Sequence, residues 1–185
     1  MRTRVGYAGG TTADPTYSRI GDHTETFQVD FDPAVLTFDE LLDVFWAEYS
    51  PTGRQWSTQY AHIAFWGDDA QRDSIAASVR RLSEELGQMV TTQTRALDHF
   101  YVAEEYHQKY YLRSDRTLVR DFGEMYPGSA DFRESTAAAR VNGYLDGAGD
   151  AVTLLAEVDS YGLSAEGRAA LLRRAGMPPN ASCRI

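Results

Sequence analysis

Few side chains in this sequence could do covalent chemistry. There is one cysteine, Cys183, two residues from the C-terminal end. It could serve as a nucleophile or as a resolving thiol. A chain terminus holds a nucleophile poorly, however, and preorganisation supplies much of a rate enhancement. Read alone, Cys183 is a free thiol on a terminal segment. The four histidines, His23, His62, His99 and His107, lack zinc-like spacing and have no cysteine partners, so no metal is expected. What remains is acid–base and hydrogen-bond chemistry. Taken singly, Glu25 reads as an ordinary carboxylate opening a strand, Tyr17 as a loop tyrosine and Tyr60 as a strand aromatic in the core. Eleven tyrosines and three tryptophans suggest either a lined pocket or an aromatic core, the core being the commoner case.

These residues need elements to position them. The chain has 185 residues, 43% of them hydrophobic, enough for one core with an appendage. Arg4–Tyr7 reads as a short strand ending at the Gly9-Gly10 turn, and Thr11–Gly21 as a polar loop. Glu25–Phe31 alternates, with Phe27, Val29 and Phe31 expected on the buried face. Thr37 to Glu40 forms a capping-box pattern opening a helix with Leu41, Leu42, Phe45 and Tyr49 on its apolar stripe. Gln59–Trp66 is expected as a strand, Asp69–Leu86 as an amphipathic helix stopped by Gly87, and Thr91–Tyr101 as another strand. Helices are expected over Glu134–Gly143, over Ala151–Val158 and from Ser164 to Arg174.

The formal charge is −9, which excludes a nucleic-acid footprint, because phosphate binding needs clustered Lys and Arg. No apolar run approaches the ~20 residues of a membrane helix. MRTRVGYAGG has no apolar core for a signal peptide. A lone cysteine leaves no internal disulfide, so a reducing cytoplasm is the expected location.

Several motifs recur in one known order: VGYAGG (5–10), PTY (15–17), HTE (23–25) running into VDFDP (29–33), LLDVFW (41–46), TQY (58–60) and EEYHQKYYL (104–112). With them the chain resembles the A-type peptide methionine sulfoxide reductases. The resemblance implies an α/β (α+β) fold, a ferredoxin-like two-layer sandwich, over residues 1–122, with a helical C-terminal extension over 123–185 packed on it. It also implies a reaction, part of oxidative-stress defence and protein repair. A thiolate attacks the sulfur of methionine-S-sulfoxide, peptide-bound or free, while an acid protonates the oxygen. The cysteine becomes a sulfenic acid, which an external thiol reductant such as thioredoxin reduces, and no other cofactor is needed. The acid has to stay protonated near neutral pH, which burial beside aromatics achieves. The resemblance assigns that acid to Glu25 and the oxygen-binding phenols to Tyr17 and Tyr60. Tyr106, His107 and Gln108 either close the pocket wall or contact the substrate.

Three departures from the family pattern qualify this expectation. The family's GCFWG motif, carrying the nucleophile and the pocket for the substrate methyl, does not occur in the sequence. The loop written RQGND in the family is here Arg54-Gln55-Trp56-Ser57. The family's Gly/Cys recycling tail is replaced by the helical segment. A missing strand would leave an open sheet edge and an uncovered apolar face. An upstream start, the C-terminal tail or a second copy of the chain would cover them, the upstream start being the simplest. The intact product is then the enzyme. The rivals are a pseudoenzyme or binding module of the same fold, and a remodelled enzyme using another nucleophile or a thiol substrate. The chain as written is expected not to reduce a methyl sulfoxide with dithiothreitol. Turnover that survives Cys183→Ser contradicts that expectation, and turnover abolished by it makes Cys183 the nucleophile.

Overall fold

A computed structural model describes residues 1–178, so Cys183 lies outside the described residues. The chain forms two compact units, Val5–Ala103 and a second built from Glu104 onward together with Met1–Arg4. The division falls before the 122/123 boundary expected from sequence, which lies inside one uninterrupted helix, Arg116–Met125.

In the first unit β1 (Arg2–Ala8, shared with the second unit) lies between β2 (Thr24–Asp30) and β5 (Phe100–Val102). β1 and β5 run antiparallel, with Tyr7 opposite Tyr101. A separate pair, β3 (Ile63–Trp66) and β4 (Gln93–Ala96), is parallel, with Ile63 opposite Gln93. α1 (Phe38–Ala47) precedes β3, and α2 (Asp69–Leu86) makes the crossover a parallel pair requires. α1 starts where the sequence says: the Thr37 hydroxyl accepts from the Glu40 amide, and the Glu40 carboxylate accepts from the Thr37 amide at 2.8 Å. α2 spans the expected residues and stops at Gly87, whose φ of 61° a side chain would disfavour. The two helices bury Leu42, Trp46 and Ile75 with Ala64 of β3. The Trp46 indole N–H donates to the Ser78 hydroxyl at 3.2 Å, so the one polar atom of that ring is satisfied inside the core.

The second unit is helical: α3 (Tyr110–Arg113), α4 (Arg116–Met125), α5 (Ser129–Glu134), α6 (Thr136–Asp146), α7 (Ala151–Glu157) and α8 (Ala165–Arg174). Asp115, Ser135, Asp150 and Ser164 accept from first-turn amides of α4, α6, α7 and α8 and define where those helices begin. Val141, Tyr144, Leu154, Val158, Leu171 and Leu172 pack with Leu112, Leu118 and Phe122 into one core, and Leu155 lies at its edge. The late helices are therefore ordered by packing on α3 and α4 of their own unit. The Arg140 guanidinium pairs with the Glu157 carboxylate, which also accepts from the Tyr144 and Tyr161 hydroxyls. Burial of Tyr161, foremost, pushes its phenol up. No helix among the described residues is long and apolar enough to cross a membrane.

The α+β class matches the expectation from sequence, but three local expectations are corrected. The stretch 59–66 is a strand only from Ile63, because a turn closed by the Ala61 amide on the Thr58 carbonyl occupies its first part. The stretch 91–101 is two strands in two sheets: the Leu97 amide still bonds Trp66, after which the chain leaves β3 and pairs with β1. In β2 the expected buried face fails at Phe27, which is 61% exposed, while Val29 and Phe31 are half-buried. The Thr24 hydroxyl donates inward to the Thr58 carbonyl at 2.8 Å, so alternation turns Glu25 and Phe27 to the other face.

Leu171→Ala, which removes a fully buried side chain from the helical core, is expected to cost about 2–5 kcal/mol of unfolding free energy in urea titrations. A loss below that range would mean the late helices do not share a core with α3 and α4.

Candidate functional site

The segment between β1 and β2 folds back on itself and is pinned by two side chains. Asp22 accepts from the Thr11 and Thr12 amides at 2.9 and 3.0 Å and from both of their hydroxyls. The Thr11 amide, then the two hydroxyls, hold its carboxyl well below the usual carboxylate range. His23, 1% exposed, accepts from the Gly10 amide at Nδ1 (3.1 Å) and donates from Nε2 to the Thr12 carbonyl (2.8 Å). Its proton therefore sits on Nε2. A Cβ at Gly10 would lie 2.6 Å from the His23 nitrogen, so only glycine permits this approach.

Tyr17 stands on a tight turn within this segment, closed by reciprocal backbone bonds between Thr16 and Arg19. Glu25 follows His23 directly in β2. Its amide donates to the Gln59 carbonyl at 2.9 Å, and its carboxylate accepts from the Gln59 side-chain amide at 2.7 Å. Tyr60 is in the turn over 58–61 that carries Gln59. The result is a cluster: the Tyr60 hydroxyl hydrogen-bonds the Tyr17 hydroxyl, and Glu25 is close enough for its charge to act on Tyr60. The Tyr60 phenol is pushed above its ordinary range, first by the bond to Tyr17, then by the charges of Tyr17 and Glu25. All three residues thus come to one place from separate loops and a strand. The place is open: Glu25 is exposed, and Tyr17 and Tyr60 are 46% and 59% exposed. The burial expected around the acid is not there, and Gln59 fixes the carboxylate instead.

The loop over 54–58 adds a cavity of about 330 Å³ beside this cluster, lined by Thr24, Gln55, Trp56, Thr58, Gln93 and Arg95 among others. The Gln55 side chain donates to the His62 carbonyl at 3.1 Å and accepts from Gln93 at 3.3 Å, which links the loop to β3 and β4. Tyr106 is 59% exposed and His107 ends a single 3-10 turn, whereas Gln108 is buried; all three belong to the second unit. Among the described residues no group of His, Cys, Asp and Glu is placed to hold a metal ion.

Asp22, Gln59, Gln55 and Arg95 were not singled out from sequence. The first could have been, since an Asp in a Gly- and Thr-rich loop region is a turn-forming residue. Gln59 and Gln55 lie inside the TQY motif and the Arg54–Ser57 loop, but like Arg95 they acquire a role only through partners on distant segments.

Comparison with known proteins agrees with the motif order. Residues 1–138 match the family described as peptide methionine sulfoxide reductase. A peptide methionine sulfoxide reductase of Drosophila melanogaster is 38% identical over 167 residues, which is 89% of this chain and 66% of that protein. Peptide methionine sulfoxide reductase A5 of Oryza sativa subsp. japonica is 36% identical over 155 residues, 78% of this chain and 58% of that protein. The crystal structure of Mxr1 from Saccharomyces cerevisiae in reduced form aligns with a TM-score of 0.56 at 30% identity, over 61% of this chain and 70% of that one. The chain thus spans less than two thirds of the length of these two curated relatives. Since the first match covers 89% of the chain, it runs into the segment that forms the late helices.

Tyr17→Phe removes the foremost cause of the raised Tyr60 phenol. Its ultraviolet titration, assigned with Tyr60→Phe, is expected to move Tyr60 down toward an ordinary tyrosine. An unchanged Tyr60 midpoint would show that the two hydroxyls are not bonded in solution.

Proposed function

Because the chain belongs to the A-type peptide methionine sulfoxide reductase family, we propose that its Glu25–Tyr17–Tyr60 cluster binds the sulfoxide group of oxidised methionine and protonates its oxygen. The observation that carries the reading is the shared hydrogen bond of two phenols beside a carboxylate held by Gln59. In that bond one phenol donates and the other keeps its O–H free; turned to a third atom, the two hydroxyls suit an oxygen that gains negative charge as the sulfur is attacked. Glu25 is exposed, so water leaves the cluster only when a substrate covers it.

The reaction has two halves. A thiolate adds to the sulfoxide sulfur as the oxygen takes a proton from Glu25. The hydroxyl then leaves the methionine sulfur for the cysteine sulfur as the transient sulfur–sulfur bond breaks, giving the thioether and a sulfenic acid. A second thiol then condenses with the sulfenic acid, forming a disulfide and releasing water, and an external dithiol of the thioredoxin kind returns the disulfide to thiols. A reducing compartment such as the cytoplasm suits that cycle. The cluster described here serves the protonation step. A second reading is a sulfoxide-binding module without turnover, in which the exposed cluster holds the oxygen and no reduction follows.

Calorimetry with one peptide carrying methionine-S-sulfoxide, the R epimer or plain methionine tests the shared premise. The S-sulfoxide is expected to bind best, and Tyr17→Phe or Tyr60→Phe to weaken it about fivefold, the worth of one hydrogen bond. Equal binding of oxidised and unoxidised peptide contradicts the proposal. Dithiol-driven product formation separates the two readings. If it occurs, Glu25→Gln is expected to slow it about 10²–10⁴-fold. S-selective binding with no product supports the binding module.

A further inference from the structure

The cavity beside the cluster has a charge character unlike the rest of the molecule. The chain has 27 acidic and 18 basic residues, yet the lining contains Arg95 and no Asp or Glu. Several arginines meet carboxylates, among them Arg4 with Glu134, Arg81 with Asp43, Arg133 with Glu105 and Arg140 with Glu157. Arg95 instead donates to two neutral oxygens, the Gly9 carbonyl and the Gln93 side chain. A guanidinium has five N–H donors, so Arg95 keeps donors to spare, in a fork that fits a carboxylate. A second cation stands close by, with the Arg54 guanidinium 4.9 Å from the centre of the Trp56 ring. Trp56 is itself 84% exposed. An exposed indole under one arginine and facing a cavity that contains another is a surface with an unanswered positive charge.

The cavity is built rather than incidental. Arg95 is held by Gln93, Gln93 by Gln55, and Gln55 by the His62 carbonyl, so the lining is one hydrogen-bonded run across the β3–β4 pair. Its rim is made by the same two segments that carry the reacting cluster. Thr24 precedes Glu25, and Thr58 is two residues before Tyr60. An extended peptide advances ~3.3–3.6 Å per residue, so a side chain one or two places from a bound methionine reaches ~3–7 Å along the peptide from it.

We propose that this cavity is a specificity subsite for an acidic side chain next to the oxidised methionine of a peptide, with Arg95 binding its carboxylate and Trp56 covering the peptide beside it. The proposal rests on the reading of the Glu25–Tyr17–Tyr60 cluster as the sulfoxide site. It goes further in naming the substrate class: oxidised methionine in acidic sequence. The chain's own negative charge does not favour such a substrate at long range, so the preference comes from contact at Arg95 and weakens with salt.

The test is calorimetric binding to the full chain of a matched set of short peptides, methionine sulfoxide or methionine at the centre, flanked by Glu, Gln or Lys. The expected order for the sulfoxide peptides is Glu over Gln over Lys. Arg95→Gln is expected to remove about fivefold of the Glu preference, the scale of one partly exposed ion pair, and Arg95→Lys to restore part of it. Circular dichroism checks that both variants are folded. Sulfoxide-selective binding that ignores the flanking charge overturns the subsite and leaves the sulfoxide site standing. Arg95-dependent preference for Glu without regard to oxidation supports the subsite while counting against the sulfoxide site. Free methionine sulfoxide binding as tightly as the Glu peptide, and losing equally in Arg95→Gln, overturns the proposal by making the amino acid's own carboxylate the occupant.

Discussion

The imidazole of His23 is committed at both nitrogens to backbone atoms of the preceding loop, and the candidate site is built outward from that commitment. Nδ1 receives the Gly10 amide, Nε2 donates to the Thr12 carbonyl, and the edge of the ring meets Tyr101 of β5 at 5.4 Å between centroids. Such a ring cannot swing out without leaving a buried donor and acceptor unpaired, at about 1–3 kcal/mol for each group. Asp22 adds four acceptor contacts on the same loop from the solvent side. The return of the chain from β1 to β2 is therefore fixed by side chain–backbone bonds rather than by a hydrophobic core. The residues it fixes are the two that flank the site, Tyr17 in the loop and Glu25 at the start of β2.

The second anchor ties β2 to the 58–61 turn. The Thr24 hydroxyl and the Glu25 amide each bond a carbonyl of that turn, and the Gln59 side chain closes on the Glu25 carboxylate. Because these bonds run on both sides of the strand's first residues, they set which face Glu25 takes. The functional consequence is preorganisation. A carboxylate and two phenols are held together before any ligand arrives, so binding need not order them. The site is exposed, and function is carried by loops anchored to strands, the usual division between scaffold and chemistry.

Legibility in the sequence followed the range of the interactions. The capping box at Thr37, the span of α2 and its glycine stop are local, and they were read where they stand. The motifs gave the family and the three residues of the cluster. The exposure of Phe27 was not legible, since its alternation with Val29 argued for burial, whereas the bond from the Thr24 hydroxyl to a turn over thirty residues away holds Thr24 inward and Phe27 on the other face. The break between β4 and β5 was hidden because Leu97, Asp98 and His99 neither carry a glycine nor interrupt the polarity pattern strongly. Gln59 and Arg95 acquire meaning only once the segments they touch are brought together. The helical character of the late segment was visible in the sequence, whereas its shared core with Leu112, Leu118 and Phe122 was not.

The account's central claim is that Tyr17 and Tyr60 act together on one sulfoxide oxygen. Carbon-13 resonances of the tyrosine Cζ atoms, assigned through the two Phe variants, report on both hydroxyls at once in the full chain. Titration with a peptide bearing methionine-S-sulfoxide is predicted to shift both resonances along one saturable curve, with no such change for the R epimer or the unoxidised peptide. A shift of only one tyrosine, or the same response to all three peptides, would contradict the claim.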